Sequence, residues 1–394
     1  MTIERTHAVL GLGGIGSAAA YRLARRSAGD VIGLEQFEIG HARGASEDHS
    51  RIIRRSYHTP GYVSLAAEAY RAWAEVEREL GERLVVRTGG LDLWPPEAAI
   101  PMDDYTQSLR ACGVEFEEVD AGEVVRRWPQ WRVDDRVRGL FQADGGIVPA
   151  SRCNAAHRRL AVEHGASLRG EAPVTAIRDA GGEIELEAGG ERIRCARLVV
   201  AADAWTNGVL AMLGIEPWPL TLTREQVVYL ACADPEVFAP ERFPIWIWMD
   251  DPSFYGFPSF GEPAPKVAQD VGGPEIPGPD ARGDDADPSA LQRVIRFVEE
   301  HLPAAAGPVH LLRTCVYTLP PDRDFVLGAV PGHPSVLVAL GAAHGFKFAS
   351  LFGRILADLA IDGSIDGSTS HDLSAFAPDR PILGMTDPPR SFLI

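Results

Sequence analysis

Of the 38 lysine and arginine residues in this chain, only two are lysines, Lys266 and Lys347. Where arginine serves almost everywhere, a retained lysine points to a need for a compact ammonium, or for an amine whose pKa burial can lower. Lys266 follows the aromatic, Gly/Pro-rich run FYGFPSFGEPAP, and Lys347 lies in GAAHGFKF. Both are candidate site residues. A preorganised cation can stabilise charge that develops during a reaction, or pair with a carboxylate.

A second constellation lies at the N-terminus. Gly11-Leu12-Gly13-Gly14-Ile15-Gly16 fits G-x-G-x-x-G. Gly11 permits the tight turn, Gly13 lets the backbone approach a pyrophosphate, and Gly16 allows close helix–strand packing; the helix N-terminus supplies the anion site. Glu35 follows about 20 residues on, suited to ribose hydroxyls and unsuited to a 2′-phosphate. The fingerprint by itself does not separate FAD from NAD.

The elements needed to position these residues are legible. His7–Leu10 reads as a strand, SAAAYRLARRS as a helix and VIGLE as a second strand, a β-turn-α-β unit. Leu65, Ala69, Trp73, Val76 and Leu80 recur at helical spacing between about Gly61 and Leu80. VVRTGGLDLW reads as strands broken by a Gly-Gly turn, and Ser151–His164 as a helix with Ser151 as a candidate cap. VTAIRD, EIELEA, RLVVAAD and SVLVALG read as strands; Ala290–Leu302 and the segment after HGFKF read as helices. Glu262–Pro288, rich in Gly, Pro and Asp, is expected to be irregular. Nucleotide-domain signatures occur at both ends and in the middle. The expected division is therefore a discontinuous nucleotide domain (residues 1–80, 148–215 and 322–394) with a substrate domain (81–147 and 216–321).

Composition narrows the partners. The 394 residues suffice for a sizeable core, and the formal net charge of −17 argues against nucleic acid. Five widely spaced cysteines without a CxxC read as reduced thiols of a cytoplasmic protein, neither a disulfide framework nor a metal site. No signal peptide or membrane-spanning run is visible, and no obligate protein partner is expected.

At SRIIRRSY (Ser50–Tyr57), FYGFPSF (Phe254–Phe260), Lys266, RTCVYT (Arg313–Thr318) and HGFKF (His344–Phe348), the sequence resembles the monomeric sarcosine oxidase family, FAD-dependent oxidases of N-methyl amino acids and related amines. The resemblance covers nearly the whole chain, including RWP (Arg127–Pro129), DAW (Asp203–Trp205) and the C-terminal HDLSAF. It implies an α/β composite fold of the D-amino-acid-oxidase-like class, with a Rossmann-like FAD domain and a mixed-sheet substrate domain, and it implies a monomer. It further implies that Cys315 bonds the flavin 8α-methyl through sulfur. By the same resemblance Lys266 promotes oxygen reduction, Arg54 and Lys347 hold the substrate carboxylate, and Arg51 lies beside the flavin. Tyr255 and Tyr317 match pocket tyrosines, and His344 shapes the flavin's surroundings rather than acting as a base. Ser50 and Val174 contact the cofactor, Val174 through its backbone.

The chain departs from the family where substrate choice is made. Four residues after Lys266, sarcosine-specific members carry histidine and this chain carries Asp270. A carboxylate there favours a second cationic or hydroxyl-bearing substrate group, or points elsewhere. Trp246 and Trp248 stand where smaller or thioether residues are familiar, to close the pocket down or wall it for stacking. GAAHGFK replaces GFSGHGFK. The expected activity is oxidation of a secondary amine bearing a carboxylate, sarcosine or another N-methyl amino acid, to an imine and then aldehyde plus amine, with O2 reduced to H2O2. The same chemistry on a larger or cyclic substrate (a cyclic imino acid, a fructosyl amino acid, an N-methyltryptophan-like compound) is the alternative. An NAD-linked dehydrogenase or a non-catalytic nucleotide-binding protein is the reading from another class.

Overall fold

The computed structural model describes residues 2–364 and 372–391; His371 of HDLSAF lies outside the described residues. Its frame is two eight-stranded sheets joined through a small three-stranded one, an α/β composite. In the first sheet Thr2–Leu10 runs parallel to Val31–Leu34 on one side and to Glu191–Val200 on the other. His333–Leu340 extends the parallel core beyond Val200, and the hairpin Val174–Asp179/Ile184–Ala188 adds antiparallel strands to its edge.

Small residues set the close packing around this sheet. The helix Gly14–Arg26 buries Ala18, Ala19 and Ala20 completely. It lies against the helix Ala349–Asp362, where a Cβ on Gly353 would come within 2.5 Å of the Ala18 backbone. The long helix Pro60–Leu80 starts at Thr59, whose hydroxyl accepts from Tyr62 N, and stops at Gly81 with φ 73°. Both ends follow from residue type: a hydroxyl satisfies an orphan N–H, and glycine takes the left-handed stop without a Cβ clash. Ser151 is not the cap expected of the helix Ala150–Glu163. Pro149 occupies that position, and Ser151 Oγ donates to Glu47 Oε2 at 2.6 Å.

The second sheet runs in the order Val309–Leu319, Thr221–Leu230, Lys266–Gln269, Phe254–Phe257, Ile245–Trp248, Gly90–Trp94, Arg138–Gln142 and Glu117–Asp120. The expectation of an irregular 262–288 stretch is corrected here, because Lys266–Gln269 is an interior strand between Thr221–Leu230 and Phe254–Phe257. Four residues flanked by Gly and Pro carry little local signal; their pairing partners make the strand. The small sheet, Arg51–Ile53, Gly146–Val148 and Val86–Arg87, carries the SRIIRRSY segment between the larger ones. All three sheets contribute to one cavity of about 520 Å³. No helix among the described residues is long and apolar enough to cross a membrane.

Candidate active site

The glycine turn opens one part of this cavity. Gly11 has φ 89°, and a Cβ there would collide with the Ala201 carbonyl. Gly13 and Gly14 lie so close to Ser46 Oγ and the Phe346 ring that Cβ atoms would stand 3.4 and 2.9 Å from them. Gly16 faces the Gly11 carbonyl with no space for a side chain. The first turn of the following helix holds no acidic residue, which leaves its N–H groups to an anion. Glu35 accepts from Leu12 N at 3.0 Å and Phe37 N at 3.3 Å, and His41 Nε2 lies 3.2 Å away. Burial opposes its charge, but His41 and the Leu12 N–H hold the carboxyl below the usual range. Arg158 donates to Leu12 O at 3.3 Å and, with Val174, lines the cavity. Ser50 Oγ is buried without a hydrogen-bond partner among the described residues. A Cβ-free turn, a helix N-terminus, an acidic residue after the second strand and an unused hydroxyl together fit a bound dinucleotide.

Lys266 occupies a dense charge cluster. It is 1 % exposed, and its Nζ donates to Asp48 Oδ2 and to Ser50 O, both at 2.9 Å. The ammonium also sits 4.1 Å from the Phe257 ring centroid. Tyr229 OH donates to Asp48 Oδ1 at 2.8 Å, and Arg51 and Arg313 each approach Asp48 to 3.7 Å. Burial lowers the Lys266 pKa to about 8 although Asp48 pulls the other way. Burial also resists charge on Asp48, yet Lys266 and Arg51 hold its carboxyl well below the ordinary range. Arg51 is fixed by Ser50 O, Ala45 O and Glu47 O at 2.8, 2.8 and 2.6 Å. Cys315 lines the same cavity on the strand Val309–Leu319, where burial pushes its thiol up to about 12 against the opposing pull of Arg51.

A second group surrounds Lys347. This lysine lies in the 3₁₀ turn Gly345–Phe348, and its Nζ donates to the His344 carbonyl at 2.8 Å. Among the described residues no carboxylate pairs with it. Burial, reinforced by Arg54 and Arg323, lowers its pKa well below the ordinary lysine value. Arg54 is paired with the buried Asp92 at 3.2 Å and lies over the Tyr57 ring. Arg323 holds Asp270 through two bonds of 2.8 Å each. Tyr255 and Tyr317, on neighbouring parts of the second sheet, meet hydroxyl to hydroxyl at 3.1 Å. His344 Nε2 lies 3.1 Å from the Arg323 carbonyl, and burial lowers its pKa well below 6.5, so the ring is neutral.

Two expectations change. Trp246 and Trp248 do not line the cavity. Side chains alternate along a strand, and in Ile245–Trp248 it is Ile247 that reaches the cavity. Trp246 stacks on Phe297 at 5.6 Å and Trp248 on His301 at 4.4 Å, under the helix Pro288–His301. They are core. Asp270 does line the cavity, but its charge is met by Arg323, so it is no free anion awaiting a cationic substrate group. The remaining predicted residues, Lys266, Lys347, Arg51, Arg54, Tyr255, Tyr317, His344, Cys315, Ser50, Glu35, Val174, Gly11, Gly13 and Gly14, line this cavity; Gly16 does not, and packs behind the turn against the Gly11 carbonyl. Sequence reasoning missed Asp48, Asp92, Tyr229 and Arg323. Asp48 lay two positions before Ser50, and Arg323 carried no signal of its own.

A family model described as FAD dependent oxidoreductase matches residues 7–359. A monomeric sarcosine oxidase from Streptomyces avermitilis is 34% identical over 381 residues, covering 94% of this chain and 96% of that protein. An N-methyl-L-tryptophan oxidase from Salmonella arizonae is 29% identical, covering 94% and 98%. Among solved structures, the open form of NikD, described as an unusual amino acid oxidase essential for nikkomycin biosynthesis, superposes with a TM-score of 0.84 at 25% identity over 95% of this chain and 98% of that one.

Proposed function

Since this chain belongs to the FAD-dependent oxidoreductase family, alongside the monomeric sarcosine oxidases, we propose that its cavity oxidises the CH–NH bond of a secondary amine carrying one carboxylate, an N-methyl amino acid. The observation that carries this reading is Lys347. Lys266, Arg54 and Arg323 each have a carboxylate of the protein, whereas the buried Lys347, among the described residues, has a backbone carbonyl and the Tyr57 and Phe348 rings but no carboxylate. A carboxylate brought by the substrate completes its shell, with Arg54 beside it.

FAD, which the glycine turn and Glu35 would hold, would supply the two-electron acceptor for the amine and the reactivity toward O2 that yields H2O2. The chain's own residues bind and orient. Lys347 and Arg54 fix the carboxylate and thereby the amine's C–H bond. Tyr255, Tyr317 and Ile247 exclude water around it. His344, neutral, holds the Lys347 turn through the Arg323 carbonyl. No side chain need remove a proton if the amine enters uncharged, and the released imine hydrolyses in water. Lys266 stabilises negative charge as oxygen is reduced. Cys315 anchors the flavin covalently; its place in the cavity wall beside Arg51 supports this.

A panel of N-methyl and cyclic amino acids scored by peroxide release tests the substrate class. Turnover of sarcosine or another N-methyl amino acid is expected, and turnover confined to amines without a carboxylate overturns the reading. Acid-precipitated protein should stay yellow; a colourless pellet with FAD in the supernatant removes the Cys315 linkage. With the two tryptophans in the core and Asp270 neutralised, the features that had favoured larger or cation-bearing substrates no longer do so.

A further inference from the structure

We propose that Asp48 is the positioning residue for Lys266: it fixes the ammonium in place, keeps it protonated, and so sets the pH range over which the reduced enzyme reacts with oxygen. This rests on the oxygen role proposed above for Lys266, while the contact itself does not.

Three features mark Asp48 as built for this. Its φ of 109° is one that residues with a side chain rarely adopt, and such strain persists where the surroundings over-determine it. Here they do. Asp48 N and O bond Ser151 Oγ and Ser151 N, both at 3.3 Å, and Arg51 clasps the carbonyls of Ala45 and Glu47. The carboxylate is 6 % exposed and both oxygens are used, Oδ2 by Lys266 and Oδ1 by Tyr229. Finally, Lys266 Nζ donates a second hydrogen bond to Ser50 O, two residues further along the same loop. One strained loop therefore supplies both acceptors of the ammonium.

The charged and titratable groups facing Lys266 are Asp48, Arg51, Cys315 and Tyr229, whose ring centroid lies 5.8 Å from the ammonium and whose hydroxyl bonds Asp48, with Arg313 acting through Asp48. Asp48 is the anion that opposes the effects of burial and of Arg51. With Lys266 near a pKa of about 8, its loss should empty the ammonium of its proton at mildly alkaline pH. An opposite charge in contact moves a pKa by roughly 1–3 units. A fall of about one unit takes the protonated fraction at pH 8 from a half to about a tenth, roughly a fivefold loss of the cation.

The two-lysine composition makes this directly measurable. Holoenzyme grown with lysine labelled with ¹³C at Cε should give two signals, and the Lys347→Arg variant identifies the Lys266 one. In Asp48→Asn, which keeps shape and tolerates a left-handed φ, the Lys266 signal should titrate at least one pH unit lower. Reoxidation of the anaerobically reduced variant should then be roughly fivefold slower at pH 8 and undiminished at pH 6, with the rate of flavin reduction by substrate unchanged. Tyr229→Phe serves as a second, milder variant with a shift in the same direction. An unmoved Lys266 titration in both variants overturns the proposal. So does a moved titration with an unaltered oxygen profile when Lys266→Met slows reoxidation. If Lys266→Met also leaves reoxidation unchanged, the oxygen role of Lys266 fails and the inference falls with it.

Discussion

Lys266 and Lys347 line one cavity, and both are buried, yet they are housed in opposite ways. Lys266 stands on an interior strand with a carboxylate, a carbonyl and an aromatic face already around it. Lys347 stands in a 3₁₀ turn with one carbonyl, the more distant Tyr57 and Phe348 rings, and two neighbouring arginines that work against its charge, and no carboxylate among the described residues. A buried cation with its own anion is complete before any ligand arrives; one without an anion is complete only after an anion binds. The first arrangement suits a cation required at a fixed place and time in the reaction. The second turns the cost of an unpaired charge into selectivity for a carboxylate.

Removing each lysine should therefore damage a different half of the reaction. The largest effect is expected from Lys266→Met on oxygen. Loss of a preorganised group that stabilises developing charge typically costs 10²–10³ in rate, so reoxidation should slow by about that factor while substrate reduces the flavin at the normal rate. Stopped-flow measurement of the two half-reactions decides. Equal slowing of both would erase the distinction between the lysines.

Next in size is Lys347→Met on substrate. A charge-assisted hydrogen bond is worth about 1.5–3 kcal/mol, so kcat/KM for an amino-acid substrate should fall by roughly 10- to 150-fold through flavin reduction. Reoxidation should be unaffected. An amine lacking the carboxylate should lose little, and a variant that discriminates no less well than the wild type would contradict the assignment.

A smaller effect concerns protons. Because burial lowers the Lys347 pKa, an anion that binds its charged form draws a proton onto the site at any pH where the ligand-free lysine has begun to lose its own. Affinity for a simple carboxylate such as acetate should then decline with rising pH, approaching tenfold per unit above the pKa of the ligand-free site. Calorimetry in buffers of different ionisation enthalpy should show proton uptake. Binding without uptake at any pH up to the ordinary lysine value would mean an unshifted Lys347 and remove the contrast.

What the sequence disclosed of this contrast, and what it hid, follows the range of the interactions. The glycine turn, the helix after it and the strands around them carry local periodicity, and they form as read. The lysines stood out by type alone. The ion pairs of the cavity did not, because Asp48 lies 218 residues from Lys266 and Arg323 lies 53 from Asp270. Such pairs are created by strand order, which no local pattern encodes. The tryptophans show the same limit in small. IWIW plainly alternates, but which face meets the cavity depends on where the helix Pro288–His301 packs.

Stability separates the sites without any catalysis. Lys266→Met leaves Asp48 charged and buried with Arg51 and Arg313, each at 3.7 Å, as its nearest remaining cations among the described residues. Breaking a buried pair from one side costs about 3–5 kcal/mol, and the nearby arginines should hold the loss to the lower end. Lys347→Met instead removes a cation that has no anion. Below its ordinary value of 10.5 the unfolded chain binds the Lys347 proton and the folded chain resists it, so this residue's contribution to stability rises with pH and is unfavourable near neutrality. Its removal should leave stability unchanged within about 1 kcal/mol, or raise it, once the lost bond to His344 O is included. Urea midpoints of the two variants at pH 7 and pH 9 test this. Lys266→Met should be the less stable at pH 7, and raising the pH should erode any advantage of Lys347→Met over the wild type; equal losses in both would show that Lys347 is paired after all.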